Sequence, residues 1–251
     1  MGEALLGGLL SSGWAGPDEL AVVERVDARR TELESAFPKV AIVDEPVACE
    51  GAVIAVKPND VATACGLVAD AGVQRVLSIA AGVRTSALEA ALGGGVPVVR
   101  AMPNTPALAG EGVSAIAGGS SAGDDDLAWA ESVLGAVGTV VRVSEPQLDA
   151  VTGLSGSGPA YVFLVAESLV DAGVLAGLSR EVAETLAYRT LLGASRMLVE
   201  TGEGPAALRA AVTSPGGTTA AGLRALEDAG VRAAFIDAVE AATQRSRELG
   251  A

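Results

Sequence analysis

Val137-Gly138-Thr139-Val140-Val141-Arg142-Val143-Ser144-Glu145 is the stretch across which the chain changes character. Up to Val143 short β-branched runs recur: Leu20 to Val23, Val40 to Val43, Ala52 to Val56, Val76 to Ile79, Val96 to Val99, Val113 to Ala117 and Val137 to Val143. Stretches with helical spacing, such as Asp60 to Ala71 and Asp125 to Leu134, lie between them. Continuous apolar strands alternating with helices imply a parallel sheet covered on both faces, a doubly wound α/β domain. From Ser144 onward the strand signals stop. Pro159 to Gly173, Ser179 to Gly202, Gly216 to Gly230 and Val231 to Gly250 read as helices, with Ser179, Glu181 and Glu184 as a start signal. The expected division is an α/β domain over 1–144 and an all-helical domain over 145–251.

Composition narrows the chemistry. The 251 residues include 31 acidic and 17 basic side chains, a net charge of −14, and no histidine. That excludes Ser-His-Asp and Cys-His machinery and every histidine metal site. Cys49 and Cys65 form no CxxC pair and read as two buried thiols in a reducing cytosol. A pI near 4.4 argues against nucleic acid, which asks for a basic face, so the expected partner is a small molecule. Ala4 to Pro17 is uncharged, but Glu3 stands where a signal peptide carries positive charge. The longest uncharged run, Ala150 to Ala166, falls short of the ~20 residues of a membrane span. A cytoplasmic protein with no membrane partner is expected. With aromatics at 3% and 32 glycines, Ala, Val and Leu must build a closely packed core.

Open parallel sheets bind ligands at the C-terminal ends of their strands. There the chain places Glu24-Arg25, Lys57-Pro58, Ala80-Ala81-Gly82 and Arg100 to Pro106. Arg25 suits an adenosine 2′-phosphate, though Glu24 beside it suits a free ribose and a solvated arginine needs no ligand. Lys57 is either a cofactor contact or a structural strand end. Asn104, between two prolines, offers donor and acceptor to an amide such as nicotinamide, or serves a bare turn. Two loose GxGxxA matches, at Gly110 and Gly202, lack the strand-turn-helix context of a phosphate loop. The chain opens directly as a helix, so the expectation is that the strand which normally runs down the centre of such a sheet is lacking at the front; an ordinary N-terminal helix on a complete fold is the alternative. Asp124-Asp125-Asp126 reads as a helix start. Gly153-Leu154-Ser155-Gly156-Ser157-Gly158 lacks the spacing of a nucleophile elbow. Val212 to Thr219 ends in two glycines and two hydroxyls ahead of a helix, suited to a carboxylate or to simple capping.

With these motifs the sequence resembles pyrroline-5-carboxylate reductases. Ala55-Val56-Lys57-Pro58, Ala80-Ala81-Gly82-Val83, Met102-Pro103-Asn104-Thr105-Pro106, Asp149 through Ala160, Asp171-Ala172-Gly173-Val174 and Val212 through Thr219 stand in the family's order. The resemblance implies a Rossmann-like NAD(P)-binding domain, a helical domain forming a homodimer or higher assembly, and NAD(P)H-dependent reduction of 1-pyrroline-5-carboxylate to L-proline. It implies that Gly2, Arg25, Ala55, Val56, Lys57, Pro58, Ala81 and Asn104 line the cofactor. Ser214, Gly216, Gly217, Thr218 and Thr219 would bind the substrate, with Thr219 at the ring nitrogen as the catalytic residue. Arg25 favours NADPH, with NADH as the alternative. Family members carry a strand and the first phosphate-loop glycines before the residues matching Met1 to Leu5. The expectation is a start at an internal methionine of a longer chain; the alternative is a shortened, non-catalytic dimeric relative. Imine reduction suits the composition, since a protonated cyclic imine needs no histidine acid. A relative acting on a 3-hydroxy acid would want a general base, and the only lysines, Lys39 and Lys57, precede the domain boundary.

Overall fold

The β-branched runs become strands because both their faces are covered by helices. The computed structural model describes residues 1–250. Its elements are α1 (Gly2–Ser11), β1 (Ala21–Val23), α2 (Asp27–Ala36), β2 (Ala41–Val43), β3 (Gly51–Ile54), α3 (Val61–Asp70), β4 (Arg75–Ser78), α4 (Thr85–Ala91), β5 (Val98–Met102), β6 (Gly112–Gly118), α5 (Asp124–Gly135), β7 (Gly138–Arg142) and α6 (Leu148–Val151). One π-helical turn, Thr152–Gly156, leads to α7 (Gly158–Leu175), α8 (Arg180–Glu200), α9 (Pro205–Ala211), α10 (Thr218–Asp228) and α11 (Val231–Leu249). Two compact units result: Met1–Ser157 joined by the end of α11 from Ala241, and Gly158–Glu240.

In the first unit all seven anticipated runs are strands. β1 and β2 pair in parallel as a ladder of their own, and a second ladder runs β3-β4-β5-β6-β7. No described strand bridges β1 and β3. The second ladder is parallel except between β5 and β6, where Arg100 faces Ala117 in antiparallel register. The expectation of an all-parallel sheet is corrected there. The connection over 103–111 is shorter than the roughly dozen residues that a parallel crossover takes.

Side chains alternate between two cores, as a period of two requires. Leu77, Val99 and Ile116 point to one face, where Leu5 and Leu9 of α1 and Val133 and Leu134 of α5 cover them. Val76 and Val98 point to the other, against Val61 and Cys65 of α3 and Leu88 of α4. Gly8 lets α1 sit on Val137, whose side chain a Cβ would strike. Cys65 is fully buried, and burial pushes its thiol pKa up. Cys49 is exposed, not buried as the sequence suggested, because it lies in the irregular segment before β3.

The second unit buries little of itself. Val170 of α7 meets Ala183 and Ala187 of α8, and a Cβ at Gly173 would stand 3.0 Å from that of Ala183. Small residues thus let the two helices close on each other. Ser179 caps α8, its Oγ accepting the Val182 N–H at 3.4 Å. Val162, Phe163, Leu164, Leu169 and Leu175 of α7 are exposed. The helical run Glu145–Leu175 is long and apolar enough to cross a membrane by length and composition. The expectation that no stretch reaches that length is corrected, because α6, the π-turn and α7 join without a break.

Candidate active site

Because β3, β4 and β5 are parallel neighbours, the turns after them open at one edge of the sheet. Ala55, Val56, Lys57 and Pro58 follow β3, all exposed. After β4 comes buried Ala80, exposed Ala81 and Gly82, whose φ of +77° needs a residue without Cβ. α1 begins beside them: a Cβ at Gly2 would lie 3.1 Å from Ala55 Cβ. No side chain caps α1, and its first intrahelical donor is Leu5 N–H, leaving the amides of Gly2, Glu3 and Ala4 to face an anion.

The turn after β1 is tied to the same place. Glu3 of α1 forms an ion pair with Arg29 of α2. Within that turn, Glu24 Oε1 accepts the Val26 N–H at 2.9 Å, so the carboxylate is turned onto its own backbone. Arg25 beside it is exposed, and among the described residues no carboxylate pairs with it. The cation is free and the acid is not.

Asn104 is buried, and its amide spans two elements. Nδ2 donates to the Ser155 carbonyl at 3.1 Å, and Oδ1 accepts the Val113 N–H at 2.9 Å. One N–H and one lone pair remain for a ligand. Through this amide the Pro103–Pro106 loop is fastened to β6 and to the π-turn.

Glu145 has no role in the sequence reading, in which Ser144 marks only where the strand signals stop. Its carboxylate accepts the Thr85 N–H at 2.7 Å and the Thr85 hydroxyl at 2.8 Å, and it pairs with buried Arg100 at 3.2 Å. Burial works to raise its pKa, but the hydrogen bonds from Thr85 and Arg100 outweigh it and hold the group below the usual carboxylate range. The only available signal was Arg100, a cation inside a strand otherwise apolar through Ala101.

In the second unit Gly217 is the N-cap of α10, which has no side-chain cap. Gly216 has φ of +68°, and a Cβ at Gly217 would collide with Ser214 Oγ. Gly216 is therefore demanded by the backbone, while Gly217 leaves room for the Ser214 hydroxyl. Gly217 N–H closes the turn onto the Ser214 carbonyl at 3.0 Å, and α10's first intrahelical donor is Ala221 N–H. The amides of Thr218, Thr219 and Ala220 and the two threonine hydroxyls are thus grouped at one helix start, an arrangement able to accept an anion.

A family model described as pyrroline-5-carboxylate reductase dimerisation matches residues 145–249. A second, described as NADP oxidoreductase, coenzyme F420-dependent, matches 1–82. The pyrroline-5-carboxylate reductase of Synechocystis sp. is 44% identical over 257 residues, covering 100% of this chain and 95% of that protein. The chain belongs to the pyrroline-5-carboxylate reductase family. The solved pyrroline-5-carboxylate reductase of Coxiella burnetii superposes with a TM-score of 0.93 at 36% identity, covering 100% of this chain and 95% of that one. The Plasmodium falciparum pyrroline carboxylate reductase, solved with NADP bound, gives 0.85 at 29% identity, covering 100% and 95%. Family membership confirms the Rossmann-like first part and the helical dimerisation region, and makes the chain a homo-oligomer. It also accounts for the exposed apolar helices: the stretch Glu145–Leu175 falls within the reductase dimerisation match.

Proposed function

We propose that this chain reduces 1-pyrroline-5-carboxylate to L-proline with NAD(P)H, the last step of proline biosynthesis, as a cytoplasmic homodimer or higher homo-oligomer with no nucleic-acid or membrane partner. The observation that carries the reading is likeness along the whole chain at 44% identity, with both halves matched in order. We divide the work at residue 144: residues 1–144 take the cofactor, and residues 145–251 take the substrate and form the oligomer.

The cofactor edge suits a nicotinamide dinucleotide. The free amides of α1 at Gly2 face the pyrophosphate, and Ala55, Val56, Lys57 and Pro58 form one wall. Exposed Ala81 forms another, and Asn104 uses its remaining N–H and lone pair behind the nicotinamide. Arg25, unpaired beside a Glu24 turned onto its own backbone, favours the 2′-phosphate of NADPH over NADH.

When bound, the cofactor supplies the hydride. The protein's share is to hold the substrate and its charge. The α10 start, with Ser214, Gly216, Gly217 and Thr218, grips the carboxylate through backbone N–H groups and hydroxyls. The imine enters protonated, and the Thr219 hydroxyl accepts its N–H, orienting the C=N bond. A new C–H bond forms at the imine carbon, the π pair passes to nitrogen, and the proton already there stays. No histidine is needed.

The test follows NADPH absorbance on adding pyrroline-5-carboxylate to the purified chain. Turnover is expected, and Thr219→Ala should lower it by roughly 10- to 10²-fold, the worth of one lost hydrogen bond to a charged group at about 1.5–3 kcal/mol. Unchanged turnover and KM in Thr219→Ala would remove that residue from the mechanism. A chain that associates but gives no saturable NADPH binding would be the non-catalytic relative instead.

A further inference from the structure

The turn that presents Ala81 is braced by a part of the chain far away in sequence. Upstream, β4 fixes it: Ile79 N–H donates to the Ile54 carbonyl at 3.1 Å. Downstream, Glu145 holds Thr85. Between these anchors, residues 80–84 meet the last turn of α11. Arg84 Nε donates to the Gly250 carbonyl at 2.9 Å. A Cβ at Gly82 would stand 3.6 Å from the Leu249 carbonyl oxygen, and one at Gly250 would stand 3.1 Å from the Gly82 carbonyl oxygen.

The two backbones are therefore in van der Waals contact, and a Cβ added at Gly250 would crowd the Gly82 carbonyl. The arginine meets a carbonyl at the helix's C-terminal end, where carbonyls lack partners and the dipole favours a cation. α11 itself is fixed one turn earlier, where buried Ser246 donates through Oγ to Asp149 Oδ1 at 2.7 Å. A helix pinned at Ser246 and ending on Gly82 is a rigid stop behind the turn.

We propose that the last turn of α11 positions the Ala80–Arg84 turn for NAD(P)H, with Arg84 as the positioning residue and the Gly250 carbonyl as its partner. The proposal rests on the reading of Ala81 as a cofactor contact. It predicts that loosening the C-terminal helix weakens cofactor binding without touching substrate capture.

The experiment uses the full chain carrying Arg84→Met, Arg84→Lys, Gly250→Val, Ala81→Leu or the control Glu248→Ala, whose carboxylate meets Arg245 and Gln244 among the described residues. Three quantities are read: the NADPH dissociation constant by calorimetry, amide hydrogen exchange of residues 80–84 without cofactor, and kcat with both KM values. Arg84→Met and Gly250→Val should weaken NADPH binding about fivefold or more, the scale expected when a supporting shell lets a site loosen. Exchange at 80–84 should quicken in the same two variants. kcat and the pyrroline-5-carboxylate KM should hold, Arg84→Lys should regain part of the affinity, and Glu248→Ala should match the parent. Parent-like NADPH binding in Arg84→Met and Gly250→Val, or weaker binding with unchanged exchange, overturns the proposal. If Ala81→Leu leaves NADPH affinity unaltered, the reading of the turn as a cofactor contact fails, and the proposal with it. If Ala81→Leu weakens NADPH while the α11 and Arg84 variants do not, only the brace fails.

Discussion

The two units are built from the same Ala-, Val- and Leu-rich palette and use it in opposite ways. Met1–Ser157 buries its apolar side chains in its own two cores, where Leu77, Val98 and Ile116 have no exposure at all. Gly158–Glu240 closes only a seam of Val170, Ala183 and Ala187, while Leu175 stays 91% exposed. Burial in the first unit is satisfied within one chain. In the second it waits for another copy, and the match to the family's dimerisation model names that copy as the partner. The hydrophobic effect takes no account of whether covering atoms come from the same chain.

The sharpest way to break this contrast is inside the first unit. Leu77→Ala should cost about 2–5 kcal/mol of stability in chemical denaturation, the range for emptying a packed core site. A loss under 1 kcal/mol would mean that this core is not closed as described. Next comes the exposed face: Phe163→Asp should weaken association by roughly 2–4 kcal/mol, read as a concentration-dependent shift to monomer by light scattering. Persistence of the parent oligomer would place the interface elsewhere.

Asn104→Ala should cost about 1–3 kcal/mol, because the Val113 N–H and the Ser155 carbonyl both lose their partner. Urea unfolding reads it, and a neutral result would mean that the amide bridge contributes nothing net.

The smallest expected effect is a pH dependence at Glu145. Its folded pKa lies below its unfolded value of about 4.3, so its stabilisation is fully present above that value. It is lost as pH falls through the lower, folded pKa. Glu145→Gln should therefore be less stable than the parent at pH 7, and the gap should shrink on acidification below about pH 4. A constant gap would show that the charge of Glu145 is not what holds Thr85 and Arg100.

Much of this was legible in the sequence. β-branched runs mark covered strands, so β1 to β7 and the change at Val143 stood out, and the Ala- and Leu-rich helices with their caps followed by spacing. The antiparallel β5–β6 pair was missed because strand content says nothing of direction. The length of the 103–111 connection carried that information. Cys49 was misplaced since residue type alone cannot tell a loop from a core. The resemblance carried the proposed site residues, while the double use of Asn104 and the grip of Glu145 on Thr85 stayed hidden. Those two are contacts across 51 and 60 positions, and no local pattern encodes them. The apolar surface of α7 was visible as hydropathy, but its exposure is a property of the fold.

The return of α11 to the first unit has a consequence for synthesis. Residues 1–157 are translated before α11 and carry nearly all of that unit's core, yet Ser246 and Gly250 complete it from beyond the whole second unit in sequence. Domains usually fold in the order in which they are made. Here the strands can pair early, but the turn after β4 receives its backing only when the end of α11 has been translated, so in a nascent chain that lacks it the Ala80–Arg84 turn is unbraced.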